Sequence, residues 1–234
     1  MTAQDIVAEL KRLGQDSYKR TMMTHGVREP IYGVKIEDMK KIVARIKKDY
    51  RLALELYDTG IHDAMYLAGL IADDEKMTKK DLQHWVSKAR NSMLAEYTVP
   101  WVASGSPHGR EMARKWIDSS KENEATAGWA TWSSLVAVTD DAELELAELK
   151  RLLERVQREI HSAPNRVRYV MNGFVICVGC YVKPLTELAI RTAKKIGPVA
   201  VDLVGSCKIP SAVEYIEKVK KRGTIGKKRK TAKC

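Results

Sequence analysis

This sequence is poor in the features that mark disulfide-bonded and membrane-spanning proteins. It has four cysteines, one phenylalanine and no long hydrophobic run. The apolar stretch Tyr169–Val182 has fourteen residues, whereas a helix needs about 20 to cross a membrane. The first ten residues have neither the basic nor the apolar region of a secretory signal. We therefore expect no membrane partner, reduced thiols and a cytoplasmic location.

The positive charge is concentrated at the C-terminal end. The formal net charge is +11, and nine lysines and arginines without an acid lie between Lys218 and Cys234, so the rest carries only +2. This pattern predicts one domain, residues 1–222, closed by a C-terminal helix over 210–222 and followed by a flexible basic tail, 223–234. The tail favours a polyanionic partner, or serves solubility or targeting. Its densest bases are Lys227, Lys228, Arg229 and Lys230.

Hydrophobic periodicity predicts helices throughout and no β-strand. Val170, Met171, Phe174 and Val178 recur at helical spacing in the apolar stretch Tyr169–Val182, which predicts a buried central helix. Other apolar faces predict about a dozen helices, with loop or extended chain over Val199–Lys208. Short loops pair these helices about every 35–45 residues. The expected fold is an all-α, right-handed HEAT-like or ARM-type superhelix (α-solenoid) of about six helix pairs.

The small side chains of the central helix can be interpreted either as packing residues or as a metal or redox site. Gly173, Cys177 and Cys180 follow one another at i, i+4 and i+7, which predicts a seam that lets a neighbouring helix come close. The two cysteines also suggest a zinc or redox pair. Zinc would need two more ligands at a fitting spacing, and a redox pair lies at an exposed helix start. We therefore predict a packing role, with no metal and no other cofactor.

Three segments carry a resemblance to a known family. They are Tyr32–Ile42 (YGVKIEDMKKI), Leu56–Ile71 (LYDTGIHDAMYLAGLI) and Arg166–Tyr181 (RVRYVMNGFVICVGCY). Together with the helix order, they resemble the HEAT-like-repeat DNA alkylation repair proteins of the alkylpurine DNA glycosylase superfamily. The resemblance runs from about residue 4 to 197, and the remainder resembles an extension found in one branch of that family.

The resemblance implies a catalytic centre that this chain does not match. Active members carry a Trp and an Asp four residues apart, a second Trp and an Arg. These positions fall on Glu96, Pro100, Phe174 and Trp132, respectively. A carboxylate stabilises the positive sugar that forms when an N-glycosidic bond breaks, and proline cannot do this. Glu96 lies one helical turn before Pro100 and is the candidate catalytic substitute.

Other residues are candidates for contacts with DNA. Tyr97, Trp101 and Trp132 either line a groove where a duplex or an exposed base stacks, or belong to the core. The resemblance adds Phe174 as an aromatic face. Arg166 and Arg168 open the central helix, where they either hold a phosphate or remain solvated.

The expected function is DNA binding. We expect double-stranded DNA to be held through phosphate contacts on a concave basic face, with a location near the nucleoid if the protein is bacterial. If the protein excises bases, the resemblance implies cationic alkylated purines such as 3-methyladenine and 7-methylguanine, without a cofactor. The alternative is a non-enzymatic helical scaffold that binds a protein or structured nucleic acid.

Overall fold

A computed structural model describes residues 1–203 and 208–234, and in these residues it contains helices and no β-strand, which confirms the all-α prediction. Part of the predicted loop Val199–Lys208, residues 204–207, lies outside the described residues. The α-helices are α1 (Ala3–Leu13), α2 (Asp16–Thr24), α3 (Ile36–Ile46), α4 (Tyr50–Asp58), α5 (His62–Ile71), α6 (Lys79–Lys88), α7 (Val99–Gly105), α8 (Gly109–Ile117), α9 (Glu122–Val138), α10 (Leu146–Glu159), α11 (Asn165–Tyr181), α12 (Thr186–Ile196) and α13 (Ala212–Lys221).

The hydrophobic core forms two clusters along the chain. The first is built mainly by α1 to α7, and in it the rings of Tyr57 and Trp85 stack with their centroids 4.0 Å apart. The second is built mainly by α8 to α13. The longest helices, α9 and α11, have 17 residues each and pack against each other. The buried central helix predicted from Tyr169–Val182 is therefore α11.

A π-helical segment, Leu94–Thr98, leads directly into α7. Proline at position 100 cannot donate an amide hydrogen bond, and its ring crowds the carbonyl four residues earlier, that of Glu96. The wider π turn ahead of it gives that carbonyl room. The backbone N–H of Val99 accordingly bonds to the carbonyl of Leu94, five residues back. The chain thus continues through Pro100, which is buried, as one helical rod.

Asp63 joins two of the segments that carry the family resemblance. Its carboxylate is buried at the start of α5 and accepts backbone N–H groups from Tyr32, at 2.6 Å, and Val34, at 2.7 Å. His62 donates its backbone N–H to the carbonyl of Pro30. The loop before α3 has no regular structure that could satisfy its own amides, so a charged acceptor on α5 holds it in place.

The expected seam of small side chains is wrong in its position. Gly179, on another face of α11, packs directly against Ile216 of α13. Among residues 1–203 and 208–234, Gly173 has no neighbouring atom within 4 Å of the place where a side chain would begin, so no described helix approaches it there. The close helix contact therefore depends on Gly179 and not on Gly173.

No single helix among the described residues is long and apolar enough to cross a membrane. Residues Asn165–Tyr181 and Lys183–Ile196 meet the length and hydropathy criteria only as a pair, and that pair is bent by 114°.

Candidate nucleic-acid interface

A cavity of about 230 Å³ lies between the π-helical segment, α7, α9, α11 and the C-terminal residues. Four aromatic side chains line it: Tyr97, Trp101, Tyr169 and Tyr181. Its other lining residues are Glu96, Ala130, Ser133, Ser134, Ala137, Val170, Asn172, Gly173, Cys177, Pro210, Arg229 and Ala232. The cavity therefore brings together predicted site residues from two distant parts of the chain: Glu96, Tyr97 and Trp101 from the middle, and Arg229 from the C-terminal end.

Arg166 is hydrogen-bonded to Glu96 at one side of this cavity. Arg166 Nε donates to Glu96 Oε1 at 2.7 Å, and Nη2 donates to the same oxygen. The guanidinium carbon also lies 4.6 Å from the centre of the Tyr169 ring, within the range of a cation–π contact. Only 4% of the Glu96 side chain is exposed. The candidate catalytic carboxylate is thus held by Arg166, which is neither solvated nor free to hold a phosphate in this structure.

The protonation of Glu96 is set by its burial. Burial raises the pKa of Glu96 to about 7, although the charge and hydrogen bonds of Arg166 lower it. The carboxyl therefore keeps its proton in the folded protein at pH values where the unfolded chain has lost it. Between its ordinary pKa of 4.5 and about 7, this group makes the folded state less stable as the pH rises.

Replacing Glu96 with glutamine should remove this pH dependence. The amide still offers Arg166 an acceptor oxygen but does not titrate. Relative to the wild type, we expect Glu96→Gln to gain about 2 kcal/mol in free energy of unfolding between pH 5 and pH 8, because each pKa unit is worth about 1.4 kcal/mol. Urea unfolding of both proteins at the two pH values measures this gain. Parallel pH profiles would show that burial does not control the carboxyl.

The predicted aromatic contacts divide into two groups. Tyr97 is 41% exposed and lines the cavity. Trp101 is only 7% exposed and belongs to the first core cluster, but it lies beside Tyr97, with ring centroids 6.0 Å apart, and also lines the cavity. Trp132 and Phe174 cannot do so in this structure, because they are 2% and 0% exposed. The Phe174 ring packs against Trp129 at 5.3 Å in the second core cluster. Trp132 and Phe174 therefore belong to the hydrophobic core and do not line a groove for DNA.

The second arginine predicted at the start of α11 is only partly accessible. Arg168 is half-buried, and its Nε has no hydrogen-bond partner in the described residues. The two arginines therefore do not form one phosphate clamp, since Arg166 is occupied by Glu96.

The predicted flexible tail lies on the body of the protein. We call residues 224–234 the C-terminal strap. Gly226 donates its backbone N–H to the carbonyl of Cys180, and Arg229 donates its own to Ala137 at the end of α9. Ala232 is buried in the first core cluster. The strap therefore runs from α11 past the cavity to the N-terminal half, and its backbone and apolar contacts explain why it does not lie free.

Two strap lysines are used to hold it in place. Lys228 Nζ donates to the carbonyl of Val136 in the last turn of α9 and pairs with Asp141 at 2.9 Å. Lys233 Nζ donates to the carbonyl of Ala72, the C-cap of α5, and pairs with Asp74 at 2.7 Å. Both lysines meet the negative ends of helix dipoles. Burial lowers the pKa of Lys233 and raises the pKa of Asp74, so this end of the strap is shielded from water.

The other strap cations are free to bind an anion. Lys227, Arg229 and Lys230 are exposed, and no carboxylate pairs with them in the part of the chain that the structure describes. Arg229 lines the cavity and is the cation there without a carboxylate partner, because Arg166 is tied to Glu96. Of the four predicted tail bases, three therefore remain available for phosphate and Lys228 does not.

The sequence analysis assigns Gly173 and Cys177 to a helix contact and does not single out Tyr169 or Tyr181. These four residues recur every four positions, so they share one face of α11, and all of them line the cavity. The spacing is visible in the sequence, but a single sequence does not say which face of an apolar helix meets a cavity.

The fold is that of a HEAT-like helical-repeat protein. A solved structure, described as a new family of proteins related to the HEAT-like repeat DNA glycosylases with affinity for branched DNA structures, matches with a TM-score of 0.93. It is 36% identical, and the match covers 100% of both chains. The predicted HEAT-like superhelix is thereby confirmed.

This chain belongs to the DNA alkylation repair enzyme family, whose profile matches residues 6–216. An uncharacterized protein of Listeria innocua is 33% identical over 228 residues, covering 95% of this chain and 99% of the relative. An uncharacterized protein of Listeria monocytogenes is 31% identical over the same length and with the same coverage. The resemblance seen in the three sequence segments is confirmed.

Proposed function

We propose that this protein binds branched DNA through its C-terminal strap and the neighbouring cavity, and that it does not excise bases. The observation that carries the proposal is Arg229, which lines an aromatic cavity, together with two exposed cations beside it in the strap, Lys227 and Lys230; none of the three has a carboxylate partner in the described residues. Cations supply the phosphate contacts that dominate DNA affinity, and rings stack on exposed bases. The affinity of the similar solved protein for branched DNA supports this choice of partner.

In this proposal, the basic side chains contact the phosphates of the duplex arms that leave the branch point. Lys218, Lys221 and Arg222 at the end of α13 are also without carboxylate partners in residues 1–203 and 208–234. Because they directly precede the strap, they extend its positive charge along a second arm. The remainder of the chain, at +2, adds little net attraction.

Excision is not proposed because the candidate carboxylate is engaged. A glycosylase needs an ionised carboxylate close to the sugar, to stabilise the charge that develops there. Glu96 is buried, only 4% of its side chain is exposed, and its Oε1 accepts two hydrogen bonds from Arg166, so the carboxyl is not free to approach a sugar. The resemblance places Pro100, not an aspartate, at the family's catalytic position.

Binding to matched DNA substrates tests the proposal. Fluorescence anisotropy should be recorded with a four-way junction, a three-way junction and a linear duplex of the same total length. We expect the junctions to bind at least tenfold more tightly than the duplex at physiological salt. Equal affinity for all three would contradict the preference for branches, and salt-independent binding would point to a protein partner instead.

An excision assay tests the second half of the proposal. Methylated DNA should be incubated with the protein, and free 3-methyladenine and 7-methylguanine should be measured. We expect no release above the level without protein. Release by the wild type that Glu96→Gln abolishes would show that Glu96 is catalytic and would overturn the non-catalytic assignment.

A further inference from the structure

Gly173 is a helix-interior glycine that packing does not explain. A side chain at Gly69 would come within 2.6 Å of Thr98, and one at Gly128 within 2.6 Å of Ile117. A side chain at Gly179 would collide with Ile216. Each of these glycines is therefore required by a neighbour. A side chain at Gly173 would meet nothing within 4 Å in the part of the chain that the structure describes, although glycine weakens a helix relative to alanine.

The open space over Gly173 is the aromatic cavity. Gly173 lies between Tyr169 and Tyr181 on the face of α11 that lines the cavity, and Tyr97 and Trp101 line it from the π-helical segment and α7. A glycine at such a place lets a ligand approach the helix backbone closely. The missing side chain therefore adds to the room available for a ligand.

The size and polarity of the cavity define its ligand class. At about 230 Å³ it is smaller than the roughly 300–1,000 Å³ of sites for drug-sized molecules, so a single flat ring system is the better fit. Aromatic side chains favour stacking with such a ring. Ser134, which has no hydrogen-bond partner among the described residues, offers a hydroxyl to its edge, whereas the Asn172 amide nitrogen, also at the cavity, already donates to the carbonyl of Pro210. Arg229 places a cation beside it for an attached phosphate.

We propose that this cavity receives one unpaired nucleobase of the bound DNA, stacked among Tyr97, Trp101 and Tyr169, with its backbone phosphate near Arg229. The inference rests on the proposed function and specifies how a branch point is recognised. Turning a base out of a stack costs least where the base is already unpaired, as at a branch point or bulge. A cavity for one base therefore gives preference for such DNA without reading its sequence.

Filling the cavity tests this inference. The probe is a duplex with one bulged 2-aminopurine, and the reference is the same sequence with that base paired. Wild-type protein should quench the bulged base by stacking and should bind the bulged duplex about tenfold more tightly than the paired one. Gly173→Leu, which places a side chain in the cavity, should lose both the quenching and the preference while it still binds the paired duplex.

Two further variants show whether a loss of preference comes from the filled cavity or from misfolding of the protein. Gly173→Ala adds only a methyl group to the same helix position and should keep the preference, with an equal or higher melting temperature. Tyr97→Ala removes an exposed ring that the core does not need and should reduce the quenching several-fold. If Gly173→Leu and Tyr97→Ala both bind and quench like the wild type, the base does not enter this cavity.

A mononucleotide distinguishes failure of this inference from failure of the proposed function. The deoxyribonucleotide of 2-aminopurine is titrated with wild-type protein and with Gly173→Leu. Quenching by the wild type alone, without binding of either duplex, would retain the base site and overturn the proposed function. Binding of both duplexes with equal affinity and no quenching would retain DNA binding and overturn the base site.

Discussion

Replacing Asp63 with alanine is expected to lower the free energy of unfolding by roughly 2–5 kcal/mol, because it leaves buried backbone donors without an acceptor. The carboxylate accepts the N–H groups of Tyr32 and Val34, and water cannot easily replace it because Asp63 is 1% exposed. The loop before α3 would lose its attachment to α5. Chemical denaturation with urea measures the change.

A matched control lies on the preceding helix. Asp58 is also an aspartate in the segment Leu56–Ile71, but its side chain is 59% exposed and it contacts His84 on the surface. Asp58→Ala should change the free energy of unfolding by less than about 1 kcal/mol, as is usual for exposed ion pairs. Equal effects of the two substitutions would show that the Asp63 hydrogen bonds do not hold the loop.

Neutralising Lys227, Arg229 and Lys230 to glutamine is expected to weaken DNA binding about 100-fold at physiological salt, because each lost phosphate contact removes about 0.9 from the slope of log K against log salt. The slope should therefore become shallower by up to about 3. Stability should hardly change, since no carboxylate pairs with these three side chains in the part of the chain that the structure covers. Anisotropy titrations with a four-way junction between 50 and 200 mM salt, in the range used for such slopes, measure both quantities.

Three other lysines serve as the control for charge alone. Lys40 and Lys47 on or beside α3 and Lys80 on α6 are exposed, and they too lack a carboxylate partner within residues 1–203 and 208–234. Changing these to glutamine removes the same charge but should leave the salt slope within one unit of the wild type. If the two triple variants weaken binding equally, the strap is not a specific contact.

The fold was largely predictable from this sequence because helical periodicity reports burial. The apolar pattern of Tyr169–Val182 led to α11, and Thr78 and Asp81 form the capping box that opens α6. Local signals of this kind depend on residues three or four positions apart. They are visible in one sequence because the interacting groups are neighbours on the same helix.

The arrangement of the site was less predictable because it depends on contacts between distant residues. Glu96 and Arg166 are 70 positions apart, and no local sequence pattern around either residue predicts the hydrogen bonds between them. Lys228 and Lys230 are two positions apart in one basic run, yet only Lys228 is held by a helix end and Asp141. Composition identifies the charge of the strap, but only the fold shows which of its cations remain available.

The same limit applies to the aromatic residues. Trp101 and Trp132 stood as equal candidates in the sequence, since both lie in apolar helices of the middle region. Both side chains are buried and belong to core clusters, but Trp101, at 7% exposed, also lines the cavity, whereas Trp132 does not. The orientation of each helix about its own axis decides whether a tryptophan reaches the cavity, and tertiary packing sets that orientation.

Lysine footprinting tests the central claim, that DNA is held along the C-terminal strap, most directly. The protein is acetylated with and without a four-way junction, and the modification of each lysine is measured by mass spectrometry. Junction DNA should protect Lys227 and Lys230 severalfold and leave Lys40 and Lys47 as reactive as in the free protein. Protection of Lys40 and Lys47 with Lys227 and Lys230 still reactive would contradict the account, because DNA would then occupy a different face.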